Sequence, residues 1–148
     1  MANADSVGQN TQDSFSNYRL GVVRGQSLNT AGNAVITIPL LVGGLTNGGG
    51  ITNSGGVIVR RVTFQNPSGS IASANVSVGS TNNGANLVTA NTVLSSVSAT
   101  GTYQDVASTA TTTAVSGSVT QCLYVNVNTA SGNANTVDIV VWGDVVSF

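Results

Sequence analysis

Val57-Ile58-Val59-Arg60-Arg61-Val62-Thr63-Phe64 decides how this chain is read. Six of these eight residues are β-branched or aromatic, the types that suit a pleated, half-buried surface. The stretch is therefore a β-strand, and Asn66-Pro67-Ser68-Gly69 ends it as a turn. Successive strand side chains point to opposite faces. Val57 and Val59 thus share one face, and regular pleating would send Val62 and Phe64 to the other. Two readings follow. A β-bulge at Arg60-Arg61 would return both apolar pairs to one core and turn both guanidinium groups outward. Alternatively, the strand is buried on both faces, with one Arg paired internally to an Asp such as Asp138.

The same period of two recurs along the chain, without the three-and-four spacing of a helix. Residues 34–38 form a strand closed by Pro39, which suits a strand end or an edge. Ala74, Val76 and Val78 alternate with Asn75 and Ser77; Leu123, Val125 and Val127 alternate with Tyr124 and Asn126. Val137, Ile139 and Val141 alternate with Asp138, Val140 and Trp142. Weaker strands are expected over 18–24, 87–94, 103–107 and 145–148. About eight short strands separated by Gly, Asn and Ser clusters describe an all-β chain, a single β-sandwich. A jelly roll and an immunoglobulin-like Greek key both fit that count.

The sandwich is assigned to residues 15–148, preceded by an extended polar N-terminal arm over 1–14. The Gly-rich segment 42–56 reads as a long surface loop, since a phosphate-binding loop would need a Lys. The Thr/Ala/Ser tract 107–118 reads as an exposed or loosely paired connection. The last strand runs to the end of the sequence and is expected within the sheet. The start of the sequence does not look like a secretory signal, and no run approaches the ~20 apolar residues of a membrane helix.

Composition narrows the chemistry. The 148 residues contain no His, Lys or Glu, and charged residues are 6% of the chain, against about 25% in an ordinary soluble domain. Four Arg face five Asp for a formal charge of -1, which offers no electrostatic footprint for nucleic acid. General acid–base and nucleophilic catalysis draw mostly on His, Glu and Lys. Asp138 and Asp144 lie about 20 Å apart on a straight strand, too far for paired-carboxylate hydrolysis. Cys122, the single cysteine, permits no internal disulfide and no zinc site, and is expected as a small packed strand residue. Neither enzymatic activity nor a cofactor or metal is expected. A surface of Asn, Thr, Ser and Gly stays soluble through hydrogen bonds, and copies pack densely without like-charge repulsion.

Residues 57–66 with Pro67-Ser68-Gly69-Ser70, then Ala74-Asn75-Val76-Ser77-Val78, form the first part of a pattern. Leu123-Tyr124-Val125-Asn126-Val127, Thr129-Ala130-Ser131-Gly132-Asn133-Ala134 and Val137-Asp138-Ile139-Val140-Val141-Trp142-Gly143-Asp144 complete it. Over residues 56–146 this order of strands resembles small proteins encoded among bacteriophage head genes. The resemblance implies a virion structural protein, a capsid decoration or cement protein on the head shell. It also implies synthesis in the bacterial host cytoplasm and the major capsid protein as partner; the charge and hydropathy above lead us to expect no nucleic acid or membrane. A homo-oligomer is expected, with three copies as the working number. No catalytic residue is carried over.

The residues expected to meet a partner are Asp5, Val7, Gln9 and Asp13 in the arm, then Phe15, Tyr18 and Arg19, and the pair Arg60 and Arg61. Strand addition at a sheet edge would supply sequence-tolerant hydrogen bonds for such a contact. The alternative roles are carbohydrate binding through Trp142, Tyr103 and Tyr124, or a head-fibre, knob or tail component. Trp142 sits in a strongly apolar strand and is expected in the core.

Overall fold

The computed structural model describes residues 18–40, 55–82, 87–109, 114–116 and 122–147. Nine strands occur there: β1 (Tyr18–Ser27), β2 (Gly32–Pro39), β3 (Gly55–Gln65), β4 (Asn75–Gly79), β5 (Leu87–Val93), β6 (Tyr103–Ala107), β7 (Ala114–Ser116), β8 (Cys122–Thr129) and β9 (Thr136–Ser147). Sheet A has the order β1-β9-β3-β6, with the short β7 on the same edge of β3 as β6. Sheet B has the order β2-β8-β4-β5. Every ladder is antiparallel. The order follows a simple rule: β1 pairs with β9, β2 with β8, β3 with β6 and β4 with β5, in alternating sheets. One long antiparallel ribbon thus rolls into two layers.

The apolar positions of the alternating strands meet between those layers. Val59, Val62, Phe64, Ile139 and Val141 from sheet A face Ile36, Ile38, Val76, Val78, Leu123, Val125 and Val127 from sheet B in one buried cluster. Each such side chain contributes about 1.5–3 kcal/mol by leaving water. Ile71, Ala74, Leu94 and Val97 close one end of the sandwich. Two backbone bonds tie those segments together, Ile71 N to Val97 O at 3.0 Å and Leu94 N to Ala74 O at 2.9 Å.

The two sides of the sandwich are sealed differently. At the β1/β2 side the sheets approach so closely that a Cβ on Gly21 would come 2.7 Å from the Pro39 carbonyl oxygen. At the β5/β6 side polar groups bridge the gap. Gln104 accepts from Ser96 N and donates to Val93 O, both at 2.9 Å. Thr109 N donates to Val88 O at 2.9 Å.

Several expectations need amendment. Residues 145–147 form no separate strand but extend β9, which lies between β1 and β3, so the last strand is central. Gly55 and Gly56, assigned to the Gly-rich loop, begin β3; residues 42–54 lie outside the described residues. The Thr/Ala tract contributes β7, whose backbone pairs with Gly56, Val57 and Ile58. Cys122, by contrast, opens β8 opposite Pro39 and is half-buried, a small strand residue as expected. The arm, residues 1–14, also lies outside the described residues.

Candidate functional site

The doublet Arg60-Arg61 resolves as a bulge. Val59 pairs with Gly143 and Arg61 with Trp142, so Arg60 is the extra residue on β3. Val59, Val62 and Phe64 are consequently all buried, while both Arg side chains turn out of the sandwich. The alternative of a strand buried on both faces, with an Arg held internally by Asp138, does not hold. Asp138 instead accepts from Gly25 N at 2.9 Å and from Asn66 Nδ2 at 3.2 Å. Gly25 and Asn66 both have positive φ, 61° and 51°, so this carboxylate pins two irregular points on the neighbouring strands.

Gly143 is the counterpart of the bulge on β9. A Cβ there would overlap the Ile58 carbonyl oxygen and come within 2.9 Å of Leu20 Cδ1. The bulged Arg60 keeps its carbonyl satisfied by Ser108 N at 2.9 Å. Its guanidinium grips Asp144 through Nη2 at 2.7 Å and Nε at 2.8 Å, both on Oδ2. The Arg60 side chain is 53% exposed and that of Asp144 only 15%. An ion pair with one end in water contributes about 0.2–1 kcal/mol.

Arg61 belongs to a closed ring of contacts. Its guanidinium carbon lies 5.2 Å from the centre of the Trp142 ring, within cation–π range. Trp142 Nε1 donates to Thr63 Oγ1 at 3.0 Å, and Thr63 Oγ1 donates to Asp105 Oδ1 at 2.5 Å. Asp105 closes the ring at 3.9 Å from Arg61 Nε, too far for a hydrogen bond. Trp142 is therefore not a core residue. Alternation puts Val137, Ile139 and Val141 inward, so Trp142 stands with Asp138 and Val140 on the outer face.

Pairing registers convert these contacts into rows across the outer face of sheet A. One row is Arg19, Trp142, Arg61 and Ala107; the next is Val22, Val140, Thr63 and Asp105. A third brings Asp138 and Gln65 to Tyr103, which is 63% exposed. Thr63 and Val140 are buried although they face away from the core. The surrounding rows shield them, which makes this face a packed layer in its own right.

Charge is distributed unequally between the sheets. All four Arg and the three described Asp lie on β1, β3, β6 and β9 of sheet A. The strands of sheet B contain no charged residue. Its outer face carries carboxamides and hydroxyls instead. Asn128 Nδ2 on β8 lies 3.5 Å from Asn75 Oδ1, 3.3 Å from Ser77 Oγ and 3.1 Å from Asn91 Oδ1, linking three strands.

Of the residues expected to meet a partner, Asp5, Val7, Gln9, Asp13 and Phe15 lie outside the described residues. Tyr18 opens β1 with its backbone opposite Gly143, and Arg19 follows, exposed, opposite Trp142. The register places Arg19 and Arg61 on the two strands flanking Trp142, with only Arg61 against the indole, while Arg60 engages Asp144. The residues not anticipated at this face are Thr63, Asp105 and Asp144; Trp142, named only for the carbohydrate alternative and expected in the core, joins them. Trp142 was legible from alternation alone, since it shares the phase of Asp138.

The Arg61 guanidinium carbon thus lies over the Trp142 indole, with the exposed phenol of Tyr103 two rows away. These are the residue types that dominate interface energetics, Trp, Tyr and Arg. Known protein families, curated proteins and solved structures give no match to this chain.

Proposed function

We propose that this protein is a non-enzymatic virion structural component, a decoration or cement protein that binds the phage head shell and reinforces contacts between its subunits. The carrying observation is the segregation of charge. Removing an ion from water costs several kcal/mol, whereas hydrogen-bonded amides and hydroxyls cost far less. The charge-free outer face of sheet B is therefore the side that is cheap to bury against a large neutral lattice. Strand order supports the same reading. Two sheets ordered β1-β9-β3-β6 and β2-β8-β4-β5 favour a jelly roll over an immunoglobulin-like Greek key. Jelly rolls recur in viral capsids and in lectins. The resemblance over residues 56–146 favours the virion.

In this reading the major capsid protein is the partner and the shell surface is the location. Several copies associate there, and neither cofactor nor nucleic acid is involved. Copy number per particle, measured by quantitative mass spectrometry of purified virions, tests it. Hundreds of copies fit decoration, a handful would move the protein to a fibre, knob or tail, and none would overturn the reading.

A second reading rests on Trp142 and Tyr103, two aromatic residues on the outer face of sheet A. Aromatic faces stack on sugar rings, which makes carbohydrate binding the alternative. A glycan screen read by the fluorescence of Trp142, the chain's single tryptophan, separates the two. A saturable shift with one sugar class would favour the lectin-like role.

A further inference from the structure

The outer face of sheet A carries different charges at its two edges. Arg19 and Arg24 on β1 are exposed and make no ion pair among the described residues. Val23 packs against the core, so alternation turns Val22 and Arg24 to the outer face with Arg19. The opposite edge, β6, presents Ala107, Asp105 and Tyr103. The Asp105 side chain accepts from Thr63 through Oδ1 yet is 43% exposed, and Tyr103 is 63% exposed. The other described carboxylates are held elsewhere, Asp138 by Gly25 N and Asn66 Nδ2, and Asp144 by Arg60. One edge of the face is therefore cationic, and the other offers an accessible carboxylate and a phenol.

That layout is self-complementary. Sheet A has the order β1-β9-β3-β6, and turning a second copy over about an axis parallel to the strands reverses it to β6-β3-β9-β1. β1 of each copy then lies over β6 of the other, and β9 over β3, while every row keeps its level. Arg19 lands on Ala107, the smallest side chain of its row. Val22 lands on Asp105, which sets that carboxylate between Arg19 and Arg24, and Arg24 lands near the level of Tyr103. Residues two apart on a strand are separated by about 6.6 Å, within reach of a guanidinium arm. At the centre each Trp142 meets the second copy's Arg61. The two Arg61 groups approach one another there, and each has an indole and its own Asp105, at 3.9 Å, to offset the repulsion.

We infer that two copies of this protein associate through the outer faces of sheet A about such a two-fold axis. Asp105 of each copy takes the Arg19 and Arg24 guanidinium groups of the other, Arg24 also stacks on Tyr103, and Trp142 is covered at the centre. Each contact occurs twice, as an isologous interface requires. This goes beyond the decoration reading and shares with it only the expectation of several copies; the charge-free face of sheet B is left for the shell.

Trp142 is the single tryptophan and reports on this face directly. Sedimentation velocity and acrylamide quenching of Trp142 are followed as the full-length protein is concentrated. Pairing and shielding of the indole should rise together, and added salt should reverse both. D105N, which can still accept from Thr63, should weaken pairing about tenfold, since symmetry removes two carboxylates at once. D105R and R19D/R24D should each stay single, because like charges then meet across both contacts. Mixed in equal amounts they should pair, because both contacts again join opposite charges; urea midpoints check that each variant folds. Unchanged pairing in D105N and R19D/R24D, or folded variants that stay apart when mixed, would overturn the inference. So would a wild-type chain that stays single at every concentration, or an indole shielded only on purified shells, which would give this face to the capsid. Full decoration of shells by R19D/R24D that no longer pairs would support this inference and decoration alike. Wild-type pairs that leave shells bare would support this inference and overturn decoration alone.

Discussion

Trp142 on β9 reaches diagonally across the ladder to Thr63 on β3, its indole N–H 3.0 Å from the threonine hydroxyl oxygen. Thr63 stands opposite Val140 rather than Trp142, so the contact holds the indole against the sheet along the strand direction. The same hydroxyl donates to Asp105, and Thr63 is only 5% exposed. One buried hydroxyl thus orients an aromatic ring and a carboxylate together.

Thr63→Val keeps the shape and removes both bonds. The indole N–H and the Asp105 carboxylate would each lose a partner, and the loss should be about 1–3 kcal/mol. Urea denaturation measures it. Trp142 emission in the folded variant should change as the ring is released, whereas Thr63→Ser should preserve the wild-type spectrum.

Gly143→Ala and Gly132→Ala separate space from backbone conformation. Gly143 faces the Ile58 carbonyl and Leu20 with no room for a Cβ. Gly132 has open space around it but a φ of +75°. The second change should cost about 1–2 kcal/mol, the strain of a left-handed residue. The first should cost more than 3 kcal/mol or prevent folding, because overlap with backbone forces the bulge apart. Thermal melts of the two variants rank them.

Arg60 and Asp144 suit a double-mutant cycle. Because the Arg60 side chain is about half exposed, the coupling between Arg60→Ala and Asp144→Ala should stay below ~1 kcal/mol in 0.15 M salt. Raising ionic strength should shrink it further. A salt-insensitive coupling of several kcal/mol would contradict the partly solvated geometry.

Asn128→Asp tests the outer face of sheet B. The amide donor that approaches Asn75, Ser77 and Asn91 becomes a carboxylate facing two carbonyl oxygens. Stability should fall by about 1 kcal/mol. If this neutral face meets the shell, occupancy on purified capsids should fall far more than stability does, as counted by cryo-electron microscopy of decorated particles.

Strand positions were readable because alternation survives wherever one face is buried: residues 34–38, 57–64, 123–127 and 137–141 all fall inside β2, β3, β8 and β9. The bulge was readable for the same reason, since Val59 and Val62 could share a core only if a residue was added between them. β7 was not, because Ala114-Val115-Ser116 is too short to show a period and owes its place to pairing with β3. The ion pairs were equally hidden. Asp144 and Arg60 are 84 positions apart, and only the order of strands brings them together. Trp142 has an apolar neighbourhood in sequence that suggests burial, but its phase matches Asp138 and it stands on the outer face.

Confining every described charge to one sheet also makes the molecule two materials back to back. Contacts made through sheet A respond to ionic strength, since exposed charges are screened beyond about 8 Å at physiological salt. Contacts made through sheet B are built from neutral hydrogen bonds and are nearly indifferent to it. An assembly using both sides would come apart in a set sequence: brine would loosen one seam first, while the other would hold until a denaturant reached it.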